Sequence, residues 1–342
     1  MPRFSTLGAC LLLTGCWSEP EILEFRGLTM GTTYSVIAVD HSGDLNPGDV
    51  QRAIDTTLAD INGSMSNWDP TSEISRFNSV EGGAVGISSE LADVMSLANV
   101  IHSESLGYFD VTLSPLIELW GFVSNDTQNA VPGDDEIARA RALVGQARNL
   151  TLTRDPDTLE KADPGVSVHL AAIAKGYAID RIADVLRDME LSDFMVEIGG
   201  DLVTSGQNAR GTAWRIGIER PDPTSRRVED VVPLRNLGMA TSGDYRNYFE
   251  QDGVRYSHVL DATTGRPITH STASVTVLAD SAMAADAWAT ALLALGADRG
   301  LPLAEKNDLA VFFIERDTSI LEPTFTSLAS SRFDEILASE EE

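Results

Sequence analysis

Residues 171–198 read AAIAKGYAIDRIADVLRDMELSDFMVEI, and this stretch sets the fold class. Ile173, Tyr177, Ile182, Val185 and Leu186 recur at helical spacing, which predicts a long amphipathic helix over 171–189. The short apolar run 194–198 that follows predicts a strand. Working outward, helices and strands keep interleaving. Upstream, the β-rich run 34–39 is bounded by Asp40 and Gly43 and predicts a strand. Val50, Ile54, Leu58 and Ile61 predict a helix over 50–64 with Asp49 as its cap. Leu91, Val94, Met95, Ala98 and Ile101 predict another over 89–104, capped by Ser88 or Ser89. The polar stretch 124–134 reads as an exposed excursion, and 134–143 as a short helix. Downstream come strands at 214–219 and 273–278, a helix at 282–295 and a strand at 309–314. Interleaving without strict βαβ alternation predicts an α+β fold of intimately packed mixed α/β subdomains. No internal repeat or low-complexity tract interrupts it.

The chain has 342 residues, 43% of them hydrophobic, enough for one large domain or two closely packed subdomains. Its 52 acidic residues against 25 basic ones give a formal charge of −27. That charge repels nucleic acid, which is therefore excluded as a partner, and reads as a solvated acidic surface. The only cysteines are Cys10 and Cys16, so the rest of the chain has neither a disulfide nor a thiolate metal site.

The N-terminus reads as a sorting signal. Arg3 precedes an apolar run, residues 7–13, that is too short to span a bilayer, and Leu13-Thr14-Gly15-Cys16 follows. This pattern resembles a bacterial lipobox. It predicts a signal peptide over 1–15 and a lipidated tether over 16–27 beginning at Cys16, which leaves one domain over 28–342. Several acyl chains on one cysteine give stable membrane anchoring where a single chain does not.

Five separated segments carry a family resemblance. They are Met30-Gly31-Thr32-Thr33-Tyr34; Met65-Ser66-Asn67-Trp68-Asp69-Pro70 with Ser75-Arg76-Phe77-Asn78; and Gly107-Tyr108-Phe109-Asp110-Val111-Thr112 with Pro115-Leu116 and Leu119-Trp120-Gly121. The fourth is Ala174-Lys175-Gly176-Tyr177-Ala178-Ile179-Asp180. The fifth combines Ala240-Thr241-Ser242-Gly243-Asp244-Tyr245-Arg246, Tyr256-Ser257-His258, Asp261 with Thr264-Gly265, and Ala282-Met283-Ala284-Ala285-Asp286 to Thr290. In this order they resemble the FAD:protein FMN transferases, the ApbE family, over residues 28 to 315. The resemblance implies an ApbE-like fold and a Mg²⁺-dependent enzyme. Its reaction would move FMN from FAD to a threonine hydroxyl of a target protein and release AMP.

Asp286 and Thr290 lie four apart, on one face of a predicted helix. Spacing alone fits a helix acid above a core threonine as well as a pair of hard oxygen ligands for Mg²⁺. The resemblance implies metal ligation, and adds the backbone carbonyl of Ala172 and a contribution around Ala289. Lys175, at a helix start, is either a surface lysine or a phosphate partner; the resemblance favours catalysis and FAD binding there. His258 is either a core histidine or the base that takes the proton of an attacking threonine. Met30, Trp68, Tyr108 and Phe109 match family positions that contact FAD, and Asp110 and the Leu260 main chain are expected near the dinucleotide.

Two departures stand out. His169-Leu170-Ala171-Ala172 replaces the family's Asp-Leu-Gly-Gly or Asp-Leu-Gly-Ala, putting His169 where an acid meets the adenosine end of FAD. Ala262 stands where proline is common, which softens a turn. Two further readings remain: hydrolysis of FAD to FMN and AMP, and a flavin-binding lipoprotein without chemistry. Asp286, Thr290 and Lys175 argue against the last, since a binder needs no phosphate-directed metal. The expected partner is a flavoprotein with an acceptor threonine, such as a subunit of a membrane redox complex. The expected location is the bacterial cell envelope, lipid-anchored and facing the periplasm.

Overall fold

The computed structural model describes residues 20–122, 130–222, 227–317 and 324–341. The signal peptide, Cys16 and most of the excursion expected over 124–134 lie outside the described residues. An eight-stranded antiparallel sheet organises the chain. Its strands follow sequence order: Glu21–Thr29, Thr32–Asp40, Asp193–Ile198, Asp201–Ser205, Gly238–Gly243, Thr272–Ala279, Ala310–Asp317 and Thr324–Ala329. Alternation along these strands sorts side chains to two faces. Val275, Val277, Val311 and Phe313 join the main core, whereas Leu278, Ala310, Phe312 and Ile314 join a second cluster around Phe333 of the helix Ser331–Glu341.

The main core lies between the sheet and the helices Pro47–Met65, Ser89–Glu104, Ala174–Asp188 and Ala282–Leu295. The helix Ala282–Leu295 is apolar nearly all round because it is buried between the sheet, Ala174–Asp188 and Ser89–Glu104. The three-stranded sheet of Val85–Gly86, Thr158–Lys161 and Leu150–Thr153 packs on the main core through Val85, Leu150, Leu152 and Leu159, and a separate cluster gathers Leu116, Trp120, Ile137, Val144 and Leu260. The α+β expectation therefore holds.

One device docks the two helices that matter for the site. Asp180, on Ala174–Asp188, accepts the N–H groups of Ala282 (2.8 Å) and Met283 (2.9 Å) at the start of Ala282–Leu295. Ser281 caps the same end from Ala284 N at 3.1 Å. Burial pushes the Asp180 carboxyl up to about 6, against the pull of the two N–H groups.

Several sequence expectations need correction. The helix expected over 171–189 begins at Ala174, because 171–173 form a turn. The cap of the first helix is Asn46 rather than Asp49; it accepts from Gly48 N at 2.9 Å, and Pro47 starts the helix three residues before the expected start at 50. The tether expected over 16–27 gives way at Glu21 to a strand paired with Thr32–Asp40. Leu23, Phe25 and Thr29 are its buried residues, and the charged Glu24 and Arg26 that flank Phe25 point outward and disguise it.

Candidate active site

A cavity of about 520 Å³ opens where the helices Ala174–Asp188 and Ala282–Leu295 meet the sheet. At its floor, Lys175 Nζ donates to Asp201 Oδ2 and lies 3.2 Å from Asp286 Oδ1. The remaining carboxylate oxygens are also held. Asp286 Oδ2 accepts Gly176 N and Asp201 Oδ1 accepts Thr241 N, each at 3.1 Å. Both carboxylates are nearly buried, while the Lys175 side chain keeps 29% of its surface accessible. Two carboxylates facing one ammonium leave one negative charge unbalanced.

Local structure explains the placement. Asp201 follows the Gly199–Gly200 turn, whose φ angles of 61° and 102° suit glycine. Burial pushes the Asp286 carboxyl up to about 6; Lys175 draws it down and Asp201 drives it up. Burial draws the Lys175 ammonium down, but its two carboxylates outweigh that and hold it above the ordinary lysine range.

Thr290 Oγ1 shares a hydrogen bond of 3.0 Å with Ser242 Oγ beside this floor, and Ala172 lines the same cavity. Among the described residues no three His, Cys, Asp or Glu side chains group to hold a metal. A hard dication here would meet one or two carboxylates, hydroxyls and a carbonyl, and fill its remaining positions with water and phosphate oxygens, which is the habit of Mg²⁺. The unbalanced charge fits such an ion.

The wall is aromatic. Trp68, 67% exposed, lines the cavity together with the buried Tyr108 and Phe109. Arg299 donates to the Tyr108 hydroxyl and lies over its ring, 4.6 Å from the centroid. His169 also lines the cavity, and burial lowers its pKa. The neighbours of His169 are clamped: Asn67 holds Val168 O (2.7 Å) and Leu170 N (3.0 Å), and Asn78 holds Val168 N and O (2.8 and 2.9 Å).

His258 also lines the cavity, with Val259 and Leu260. Its Nδ1 lies 3.0 Å from the Asn247 carbonyl, which can only accept, so Nδ1 carries the proton and Nε2 keeps a free lone pair in the neutral ring. Burial lowers its pKa. Phe122 meets the ring edge-on at 6.4 Å.

Trp68, Tyr108, Phe109, Asp110, His169, Ala172, Lys175, His258, Leu260, Asp286 and Thr290 thus share one cavity. Met30 and Ala289 do not line it. Met30 sits at a hairpin tip with φ 48° and packs on the core, and Ala289 is fully buried. Asp110 is close but spent: its oxygens accept Thr112 N (2.7 Å), the Thr112 hydroxyl and Gln146 N (2.9 Å). Asp201 escaped the sequence reading; its only signal was an acid directly after a Gly-Gly turn that ends a strand.

Fold and cavity together define a class: an α+β protein with an aromatic slot beside a phosphate-suited lysine and a hard-cation oxygen set. Within that class, the chain belongs to the ApbE family, whose family model matches residues 30–313. The FAD:protein FMN transferase of Vibrio cholerae is 40% identical to it over 333 residues, covering 97% of this chain and 98% of that protein. The Haemophilus influenzae protein of the same name is 39% identical, covering 97% and 96%. Among solved structures, the flavin transferase ApbE of Vibrio cholerae superposes with TM-score 0.84 at 38% identity, covering 92% of this chain and 99% of that one. The apo flavinyl transferase ApbE of Pseudomonas stutzeri does so at 0.84 and 36%, covering 93% and 97%.

Proposed function

We propose that this protein is an FAD:protein FMN transferase that moves FMN from FAD to a threonine hydroxyl of a target protein and releases AMP. The observation that carries this reading is Lys175 between two carboxylates, beside Thr290, on the floor of a cavity walled by Trp68, Tyr108 and Phe109.

The aromatic wall takes the isoalloxazine, and His169 lies toward the adenosine end. The Lys175 ammonium, with one N–H beyond those given to Asp201 and Asp286, binds the pyrophosphate. Mg²⁺, held by Asp286, Thr290 and the Ala172 carbonyl, supplies charge neutralisation at the phosphates when bound. His258 Nε2 accepts the hydroxyl proton as the threonine oxygen bonds to the FMN phosphorus. The bond from that phosphorus to the bridging oxygen breaks, and the electron pair leaves with AMP. Asp286 orients the floor, and the cavity wall limits water.

The test is to incubate the protein with FAD, Mg²⁺ and a threonine-bearing target domain, and look for covalent flavin by in-gel fluorescence. Label on the target supports the reading. FMN and AMP without label point to hydrolysis, and bound but unreacted FAD points to a binding protein.

We further propose that Cys16 is lipidated and anchors the domain to a bacterial envelope membrane, facing the periplasm. Support comes from the lipobox-like run before Cys16. Among the described residues no helix is long and apolar enough to cross a membrane. A subunit of a membrane redox complex is a target such an anchor would bring within reach.

A further inference from the structure

We propose that Asp201 is a positioning residue: it holds the Lys175 ammonium so that Asp286 is free to take a divalent cation. This rests on the metal-dependent reading above.

The argument begins with charge. With both acids ionised, the floor holds Asp201, Asp286 and one ammonium, so one carboxylate can be given to a second cation without leaving Lys175 unpaired. Remove Asp201, and Lys175 and Asp286 become a closed, neutral pair. Any incoming cation must then break that pair and strand a partly buried ammonium, which is costly.

Geometry gives the two acids different tasks. Asp201 stands at the start of the strand Asp201–Ser205, and its Oδ1 is tied to Thr241 N of the adjoining strand Gly238–Gly243 at 3.1 Å. Its other oxygen holds Lys175. Both ends of this carboxylate are committed, so it anchors. Asp286 Oδ2 is likewise committed to Gly176 N, but its Oδ1 has only the longer 3.2 Å contact with Lys175, and Thr290 follows one helical turn later. Oδ1 of Asp286 is therefore the oxygen that can be exchanged.

The experiment is calorimetric titration of Mg²⁺ into the full chain, without turnover, for wild type, Asp201→Asn, Lys175→Met and the double variant. Asp201→Asn should weaken Mg²⁺ binding about tenfold or more while Lys175 is present, and about threefold or less in the Lys175→Met background. That non-additivity is the signature of action through the lysine. Equal weakening in both backgrounds would mean that Asp201 acts on the cation directly, and overturns the proposal. So does a lowered melting temperature with unchanged Mg²⁺ binding. If the Asn variant does not fold, Asp201→Ser removes the same charge with less bulk and is judged on the same scale. Wild-type protein that takes up no Mg²⁺ overturns the metal reading itself, and this inference with it.

Discussion

Gly176 faces the backbone of Ala282 so closely that a methyl group at its Cα would lie 2.3 Å from the Ala282 carbonyl oxygen and 2.5 Å from the Met283 Cα. The helices carrying Lys175 and Asp286 can approach only because residue 176 has no side chain, and its N–H then reaches Asp286 Oδ2. Gly176→Ala should force the helices apart. We expect a stability loss of about 1–3 kcal/mol in urea unfolding, the usual cost of overpacking. Mg²⁺ affinity should fall with it, because the Lys175–Asp286 spacing is what the crossing sets. Unchanged stability and unchanged Mg²⁺ binding would refute this account of the crossing.

Asp180 should leave a pH signature. Its folded pKa is raised to about 6 from an ordinary 3.8, so between those values the folded state holds a proton that the unfolded state has lost. Stability from this group is therefore fully present below the lower value and declines as pH rises through the upper one. Unfolding of wild type minus Asp180→Asn, followed from pH 4 to pH 7, should show wild type losing about 1–3 kcal/mol relative to the variant. A difference that stays flat across this range would show that Asp180 is ionised throughout.

His258→Gln should lower FMN transfer by about 10²–10⁴-fold, the span typical of a lost general base, with FAD affinity little changed. Because burial lowers the His258 pKa below its ordinary 6.5, the acid limb of the rate profile should lie below pH 6.5 and vanish in the variant. A variant that keeps both rate and limb would remove His258 from the reaction.

Legibility in the sequence followed the strength of local pattern. The helices 89–104 and 282–295 and the strand 214–219 stand as their periodicity predicts. Glu21–Thr29 was missed because an edge strand exposes every second residue, and its charged outer face looked like a tether. In the site, Lys175, Asp286 and Thr290 were found because each sits in a motif on a helix. Asp201 was not, since its function exists only through Lys175, which lies 26 positions away in the chain. Asn67 and Asn78 sit in motif segments too, and their side chains clamp the main chain beside His169, Asn67 at Val168 and Leu170 and Asn78 at Val168.

His169→Asp restores the acid that the family resemblance places at the adenosine end. His169 lines the cavity but makes its only described hydrogen bond through its backbone, to Val111 O at 2.7 Å. The substitution should change the Kd for FAD while leaving turnover at saturating FAD within about tenfold, a barrier change of about 1.4 kcal/mol. Collapse of saturated turnover would put His169 in the reaction centre.

Asp286 offers the most direct test of the chemistry. Among Asp286, Thr290 and the Ala172 carbonyl it is the only charged group, so its loss should hurt far more than loss of the Thr290 hydroxyl. Asp286→Ala also frees Lys175 from one partner, but Asp201 remains to hold it, so the lysine should stay in the cavity. The aromatic wall of Trp68, Tyr108 and Phe109 is untouched, and FAD should still bind, which fluorescence quenching can measure. Transfer should nevertheless fall by orders of magnitude, since a phosphate-directed metal supplies several kcal/mol of charge stabilisation. EDTA should silence wild type and added Mg²⁺ should restore it, whereas Asp286→Ala should stay slow at any Mg²⁺ concentration that leaves the protein folded. Asp286→Asn separates charge from shape: it retains an oxygen for Gly176 N, so its fold should match wild type while its transfer rate falls with that of the Ala variant. Wild-type transfer by Asp286→Ala in metal-free buffer would end the metal-assisted mechanism, and would leave Lys175 and His258 to carry the reaction alone.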